Sequence, residues 1–294
     1  LNAKNKSTCL IGALAVLAMC VALAGAAWLR WGTQAQPKEV NQGLFKGISY
    51  QRKVRQSPRP MVIHILTVNL RASGIHFLVT PGNPKAEQPL AASTTSQFLG
   101  QFKLQAAVNG DGFTPWRSNT FLDYYPHRGD PVTPIGLAAS QGVVYSQPTD
   151  AEPALYIGRD NRARFKNPIG GIYNAISGSI MLVEDGKPTA LPDEQPQPRS
   201  AIGLDQRMRQ MVIVVVDGRQ RSYSEGATLA EMANLLIEFG AYNGMNLDGG
   251  GSSTLVAEDS NGRPEVLNRP IDLGIPNRER FIGNQLGIYA DPIN

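Results

Sequence analysis

The chain has 294 residues, 42% hydrophobic and 18% charged, enough for one sizeable core or two small ones. Its formal charge is only +4, no run of Lys or Arg is long enough to form a nucleic-acid stripe, and no RNA- or DNA-binding motif occurs, so nucleic acid is excluded as a partner. Thirty glycines and twenty-one prolines announce many turns but fall far short of a low-complexity composition.

At the N-terminus Lys4 and Lys6 precede an uncharged stretch, residues 9–29, long enough to cross a bilayer as a helix. Ala22, Ala24 and Ala26 offer small-residue cleavage sites, and Trp28, Arg30 and Trp31 resemble an interfacial belt. Residues 1–31 therefore read as a signal peptide or, since the apolar run exceeds a usual signal core, as an anchor. The anchor holds an exported domain to the inner membrane through the N-terminal helix. Both cysteines, Cys9 and Cys20, lie in this segment, so the domain beyond it has neither a disulfide nor a thiol nucleophile. Met19 is too large for the usual residue before a lipidated cysteine.

Residues 32–43, polar and containing Pro37, read as a linker, and residues 44–294 as one exported domain. The β-branched runs 61–70 and 75–80, separated by Ser73 and Gly74, predict a hairpin. Residues 94–102 predict a short helix leading into an apolar strand that ends in the turn Asn109-Gly110-Asp111-Gly112. The aromatic-rich stretch 114–134 is long for an idle connection. Next come apolar runs broken at Ser177-Gly178, a proline-rich loop at 191–198, and two strands, 199–205 and 211–219. The second of these is apolar on both faces and should be central. Thr228 and Glu231 form a capping box, Leu229, Met232, Ala233, Leu236 and Phe239 repeat at helical spacing, and Gly240 fits the C-terminal stop. A glycine turn (Asp248 to Ser253), a strand at 253–258 and a closing strand at 284–290 complete an α+β domain with mixed β-sheets and few helices.

Chemistry gathers where strands end. Asn109 and Asp111 follow one strand and Ser177 sits at another break. Arg199 opens a strand, Asp217 and Arg219 close the next, and Asp248, Ser252 and Ser253 flank Gly249, Gly250 and Gly251. Successive glycines expose backbone N–H groups and admit a ligand close to the chain, and arginine offers a fork for phosphate or carboxylate. Taken singly, each is more commonly an ordinary turn or surface charge; together they describe a site for a small anionic ligand, with carboxylates for acid–base work or for a cation. His64, His76 and His127 do not pair at metal-ligand spacing, which argues against a zinc site; nucleophile-elbow and P-loop motifs are absent.

The strings AAVNGDGF (106–113), ISG (176–178), PRSAIGLD (198–205), VVVDGR (214–219), GATLAEMANLL (226–236), NLDGGGSSTLV (246–256), NRP (268–270) and NQLGIYA (284–290), in this order, resemble the phosphodiester glycosidase family. The resemblance covers about residues 44–292; its bacterial members are often tied to exopolysaccharide biosynthesis. It implies hydrolysis of a sugar-1-phosphodiester to a free sugar and a phosphomonoester. Asp248 would be the main carboxylate, base or nucleophile, and Asp217 a second. Arg199 would bind phosphate with the 249–251 N–H groups and Ser252. Asn109 and Ser177 would hold sugar hydroxyls, with Gly110, Asp111, Gly178 and Ser253 beside them, and Arg219 would touch substrate or brace Asp217. Asp111 stands where relatives often carry glycine. Two other readings stay open: an anchored, non-catalytic binder of polysaccharide or sugar phosphate in exopolysaccharide assembly, and a Ca²⁺ or Mg²⁺ held by Asp248, Asp111 and carbonyls, although no cofactor is required.

Overall fold

In a computed structural model the described residues are 14–22, 25, 35–120, 122–148, 152–168, 170–192 and 194–293. Most of the expected signal or anchor segment lies outside them. Its described part, 14–22, is helical and exposed, and among the described residues no helix is long and apolar enough to cross a membrane. The expected linker is already tied down at Gln36, whose amide donates to the Tyr223 carbonyl at 2.8 Å, and its end forms the strand Val40–Phe45.

The largest sheet has eight strands in the order Val40–Phe45, Ile48–Arg55, Met61–Asn69, Gln210–Val216, Arg199–Leu204, Asn243–Asn246, Ile180–Glu184 and Lys187–Pro188. A five-stranded sheet runs Pro264–Val266, Leu255–Glu258, Ala106–Asn109, Gln285–Tyr289 and His76–Val79. Gln210–Val216 is central, as its unbroken apolar run predicts. Its residues alternate between two cores: Ile213 and Val215 face the second sheet, while Val212 and Val214 face a helix.

That helix, Leu229–Glu238, begins at the capping box formed by Thr228 and Glu231 and buries Leu229, Met232, Ala233, Leu235 and Leu236. A second helix, Thr95–Phe102, is capped the same way by Thr94 and Gln97 and covers the outer face of the five-stranded sheet through Phe98 and Leu99. The main body thus has four layers: helix, sheet, sheet, helix. A further five-stranded sheet, centred on Asn174–Ser177, closes one flank.

Two expectations change. The strand pairs among the described residues are all antiparallel rather than mixed, because no helix here serves as a crossover between neighbouring strands of one sheet. The runs 61–69 and 76–79 are not a hairpin; the first pairs with Ile48–Arg55 and Gln210–Val216, the second with Gln285–Tyr289. Both runs are buried, and the turn at 70–75 carries the chain from one sheet to the other.

The antiparallel register brings one end of many strands to one edge. Arg199 lies opposite Val216, Ala201 opposite Asn246, Asn109 opposite Gln285 and Val108 opposite Leu255. The Thr228 cap orients the helix behind that edge. Thr228→Ala should lower unfolding stability by about 1 kcal/mol, read as a lower denaturant midpoint with an unchanged slope.

Candidate active site

A cleft of about 380 Å³ opens at this edge, lined by Gly112, Phe113, Trp116, Ser118, Ile135, Gln197, Arg199, Arg219, Asp248, Gly249, Gly250, Gly251 and Arg280. A larger groove of about 710 Å³ runs beside Phe98, Phe102 and Arg128, but it shares no lining residue with the cleft.

The glycine turn follows the strand Asn243–Asn246 and is a short 3-10 turn, Gly250–Ser252. A β-carbon at Gly249 would lie 3.7 Å from Arg199 Cδ and 3.0 Å from the Pro198 carbonyl. At Gly250 it would lie 3.0 Å from Arg219 Nη2, and at Gly251 it would collide with the Arg280 guanidinium. Gly250 also has φ +62°, which disfavours any side chain. Three arginines therefore rest on three consecutive residues that carry no side chain.

These cations are held differently. Arg280 donates from Nε to Asp272 Oδ1 at 2.8 Å, and its Cζ lies 4.7 Å from the Trp116 ring centre. Asp272 is fully buried and also serves Arg278 at 3.4 Å and the Tyr124 hydroxyl at 2.8 Å. Arg199 pairs with Glu194. Arg219 Nε donates to Gln197 Oε1 at 2.7 Å, and among the described residues it has no carboxylate partner within ion-pair distance. Loss of hydration, then repulsion by Arg280 and Arg199, lowers the Arg219 pKa.

Asp248 faces this basic wall. Its N–H donates to the Gly110 carbonyl at 2.9 Å, its carbonyl accepts from Asn109 Nδ2 at 2.7 Å, and its Oδ1 accepts from the Gly249 N–H at 2.9 Å. Burial raises its pKa above 3.8, opposed by hydrogen bonding to Ser252, the Arg280 charge and the Gly249 N–H.

The structure gathers Arg199, Arg219, Asp248 and the three glycines at the cleft, but it moves other expected residues behind it. Asp217 does not line the cleft. It is sealed, accepting from His64 Nε2 (3.0 Å), Tyr223 Oη (3.2 Å), Asn268 Nδ2 (3.1 Å) and the Arg269 N–H (2.8 Å). Asn109 is also buried; its Oδ1 accepts from Ser200 Oγ at 2.7 Å and the Thr254 N–H at 3.2 Å, so it clips strands together rather than meeting sugar hydroxyls. Ser177 donates to Asp111, and Gly178 packs on the Asn246 carbonyl.

Asp111 also accepts from the Gly112 and Gly136 N–H groups at 2.7 and 2.8 Å; burial raises its pKa to about 6 against those bonds. Both of its oxygens thus accept hydrogen bonds within the protein. Ser252 and Ser253 are buried, and Ser252 Oγ lies 3.5 Å from Arg280 Nη1. The expected N–H cradle is largely spent: Gly249 donates to Asp248 and Gly250 to the Pro198 carbonyl at 2.8 Å. Guanidiniums, more than backbone, face the cleft.

Arg280, Asp272, Gln197 and Glu194, at or beside the cleft, lie outside the residues that the sequence motifs single out. Arg280 lies in the charged stretch 278–280, outside every motif quoted above; its place at the cleft shows in its packing on Gly251, its bond to Asp272 and its stacking on Trp116.

The site is thus a carboxylate opposite clustered guanidiniums, carried on a glycine turn at the rim of an antiparallel α+β sandwich. The phosphodiester glycosidase family model matches residues 102–289, and the chain belongs to that family. The chain is 27% identical over 218 residues to the SPbeta prophage-derived uncharacterized protein YomE of Bacillus subtilis (strain 168), covering 63% of this chain and 33% of YomE, so the match spans about a third of that relative. Its fold resembles a hypothetical protein from Synechocystis, with TM-score 0.64, 16% identity and coverage of 86% of this chain and 64% of that one. It also resembles the zebrafish N-acetylglucosamine-1-phosphodiester alpha-N-acetylglucosaminidase catalytic domain auto-inhibited by its pro-peptide, with TM-score 0.57, 22% identity and coverage of 87% and 86%.

Asp217→Ala strands four donors in the core and should cost about 3–5 kcal/mol in urea unfolding. A stably folded Asp217→Asn that has lost turnover would show instead that this carboxylate takes part in the chemistry.

Proposed function

We propose that the protein hydrolyses a sugar-1-phosphodiester by cleaving the glycosidic C–O bond. The supporting observation is Asp248 sharing one cleft with Arg199, Arg219 and Arg280, Arg219 lacking a carboxylate partner among the described residues. The arginines take the phosphate, and the anomeric carbon lies toward Asp248. When the C–O bond breaks, its electron pair leaves on the phosphate oxygen as an anion, which the guanidiniums stabilise without a general acid. Asp248 acts on the other side of the oxocarbenium-like transition state, as base toward water or as nucleophile toward carbon. One carboxylate in the cleft therefore suffices, in keeping with Asp217 being sealed. Retention or inversion at the anomeric carbon distinguishes the two roles.

A cleft of 380 Å³ holds a sugar and its phosphate, with a longer aglycone extending past Trp116 and Ser118 into solvent. Within the same reading the substrate is a sugar phosphate or polysaccharide of the bacterial envelope. The domain 44–294 works outside the cytoplasmic membrane, delivered or held there by residues 1–31.

The test is the full chain incubated with UDP-N-acetylglucosamine and a panel of synthetic sugar-1-phosphodiesters. Free sugar should be released, and Asp248→Asn should lower kcat at least about a hundredfold. Binding of sugar phosphate without turnover, retained in Asp248→Asn, would instead establish a non-catalytic binder.

Asp248 must be ionised to act, so kcat/KM should fall as pH drops through its raised pKa, with the limb above 3.8. Arg280→Gln removes a lowering influence and should move that limb higher. A limb at or below the ordinary aspartate value would contradict this.

A further inference from the structure

The three cleft arginines differ in how firmly they are neutralised. Asp272 beside Arg280 is fully buried and shared with Arg278 and Tyr124, so it is a fixed counter-ion. Among the described residues Arg219 has the Gln197 amide and no carboxylate at ion-pair distance. Arg199 is 12% exposed along its side chain and pairs with Glu194, whose side chain is 40% exposed. Glu194 sits in the proline-rich loop, three residues before Gln197. Gln197 itself is fixed by a two-bond bridge to Ala227, at 3.1 and 2.9 Å. The carboxylate can therefore swing away while the loop's end, and the amide that orients Arg219, stay in place.

We propose that Glu194 is an internal counter-ion on Arg199 that an incoming phosphate group displaces. This rests on the phosphodiester reading above. Asp272 is already shared between Arg280 and Arg278, so Glu194 is the carboxylate whose departure frees a guanidinium of the cleft. An incoming phosphate group takes its place on Arg199. After cleavage the returning Glu194 carboxylate competes with the phosphomonoester product for Arg199. Glu194 thus weakens every phosphate ligand and favours release of the product.

The test is calorimetric titration of inorganic phosphate into the full chain, as wild type, Glu194→Gln, Arg199→Gln, the double variant and Arg219→Gln. Glu194→Gln should tighten binding about fivefold, the upper range for an exposed ion pair. The gain should vanish when Arg199 is already Gln. Turnover by Glu194→Gln should show stronger inhibition by phosphate. If phosphate binds and depends on Arg219, yet Glu194→Gln leaves its affinity unchanged or weaker, the counter-ion proposal falls and the phosphate reading stands. If phosphate binds neither wild type nor Glu194→Gln, the arginine cleft is not a phosphate site and both readings fall.

Discussion

Three guanidiniums repel one another, and a chain gathers them only where it can bring them close to backbone and supply the opposite charge. Here Gly249, Gly250 and Gly251 provide the space, one for each of Arg199, Arg219 and Arg280. The arginines reach the turn from three separate places: the start of a central strand, the loop after its neighbour, and a segment near the C-terminus. The turn's glycines thus serve side-chain packing at least as much as backbone exposure, since the Gly249 and Gly250 N–H groups are already engaged within the protein.

The same arrangement explains why several carboxylates nearby do different work. Asp272 is a buried anchor for Arg280, Asp217 ties together His64, Tyr223 and the Asn268–Arg269 segment, and Asp111 gathers the Gly112, Gly136 and Ser177 donors. Each is saturated by donors, which is how buried charge is normally tolerated. Asp248 differs because it lines the cleft. The neighbours that hold its backbone, Asn109 and Gly110, leave its carboxylate to the Gly249 N–H, Ser252 and the basic wall. Asn109, itself buried, reaches the cleft through this grip on the Asp248 carbonyl.

Sequence patterns carried what is local. The helix at Leu229–Glu238 followed from its capping box and apolar spacing, and the central strand Gln210–Val216 from its unbroken apolar run. The Asp248 turn was legible because three successive glycines beside a carboxylate stand between a helix-like and a strand-like segment. Pairing across distance was not legible: an apolar run such as His76–Val79 fits either sheet, and only the whole sandwich decides which. The site divided along the same line. Arg199, Arg219 and Asp248 flank motifs and could be found. Whether a motif's polar side chain faces the cleft or the core is a matter of tertiary bonding, so Asp217, Asn109 and Ser177 looked equivalent to the cleft residues. Arg280 and Glu194 lie in charged and proline-rich stretches that look like solvent-facing loops.

The strand Arg199–Leu204 shows how narrowly the cleft is specified. Its residues alternate, with Ser200, Ile202 and Leu204 toward the space between the sheets and Arg199 and Ala201 toward the helix side. Ser200 reaches inward to Asn109, which holds Asp248, while Arg199 on the opposite face reaches the glycine turn. Two adjacent residues therefore bear on Asp248 and on the basic wall from opposite faces of one strand. A one-residue slip against Gln210–Val216 would turn the arginine into the apolar interior and the serine away from Asn109. The buried rows on both sides of the strand resist that slip, so the hydrophobic cores and the charge arrangement of the cleft are enforced by the same register.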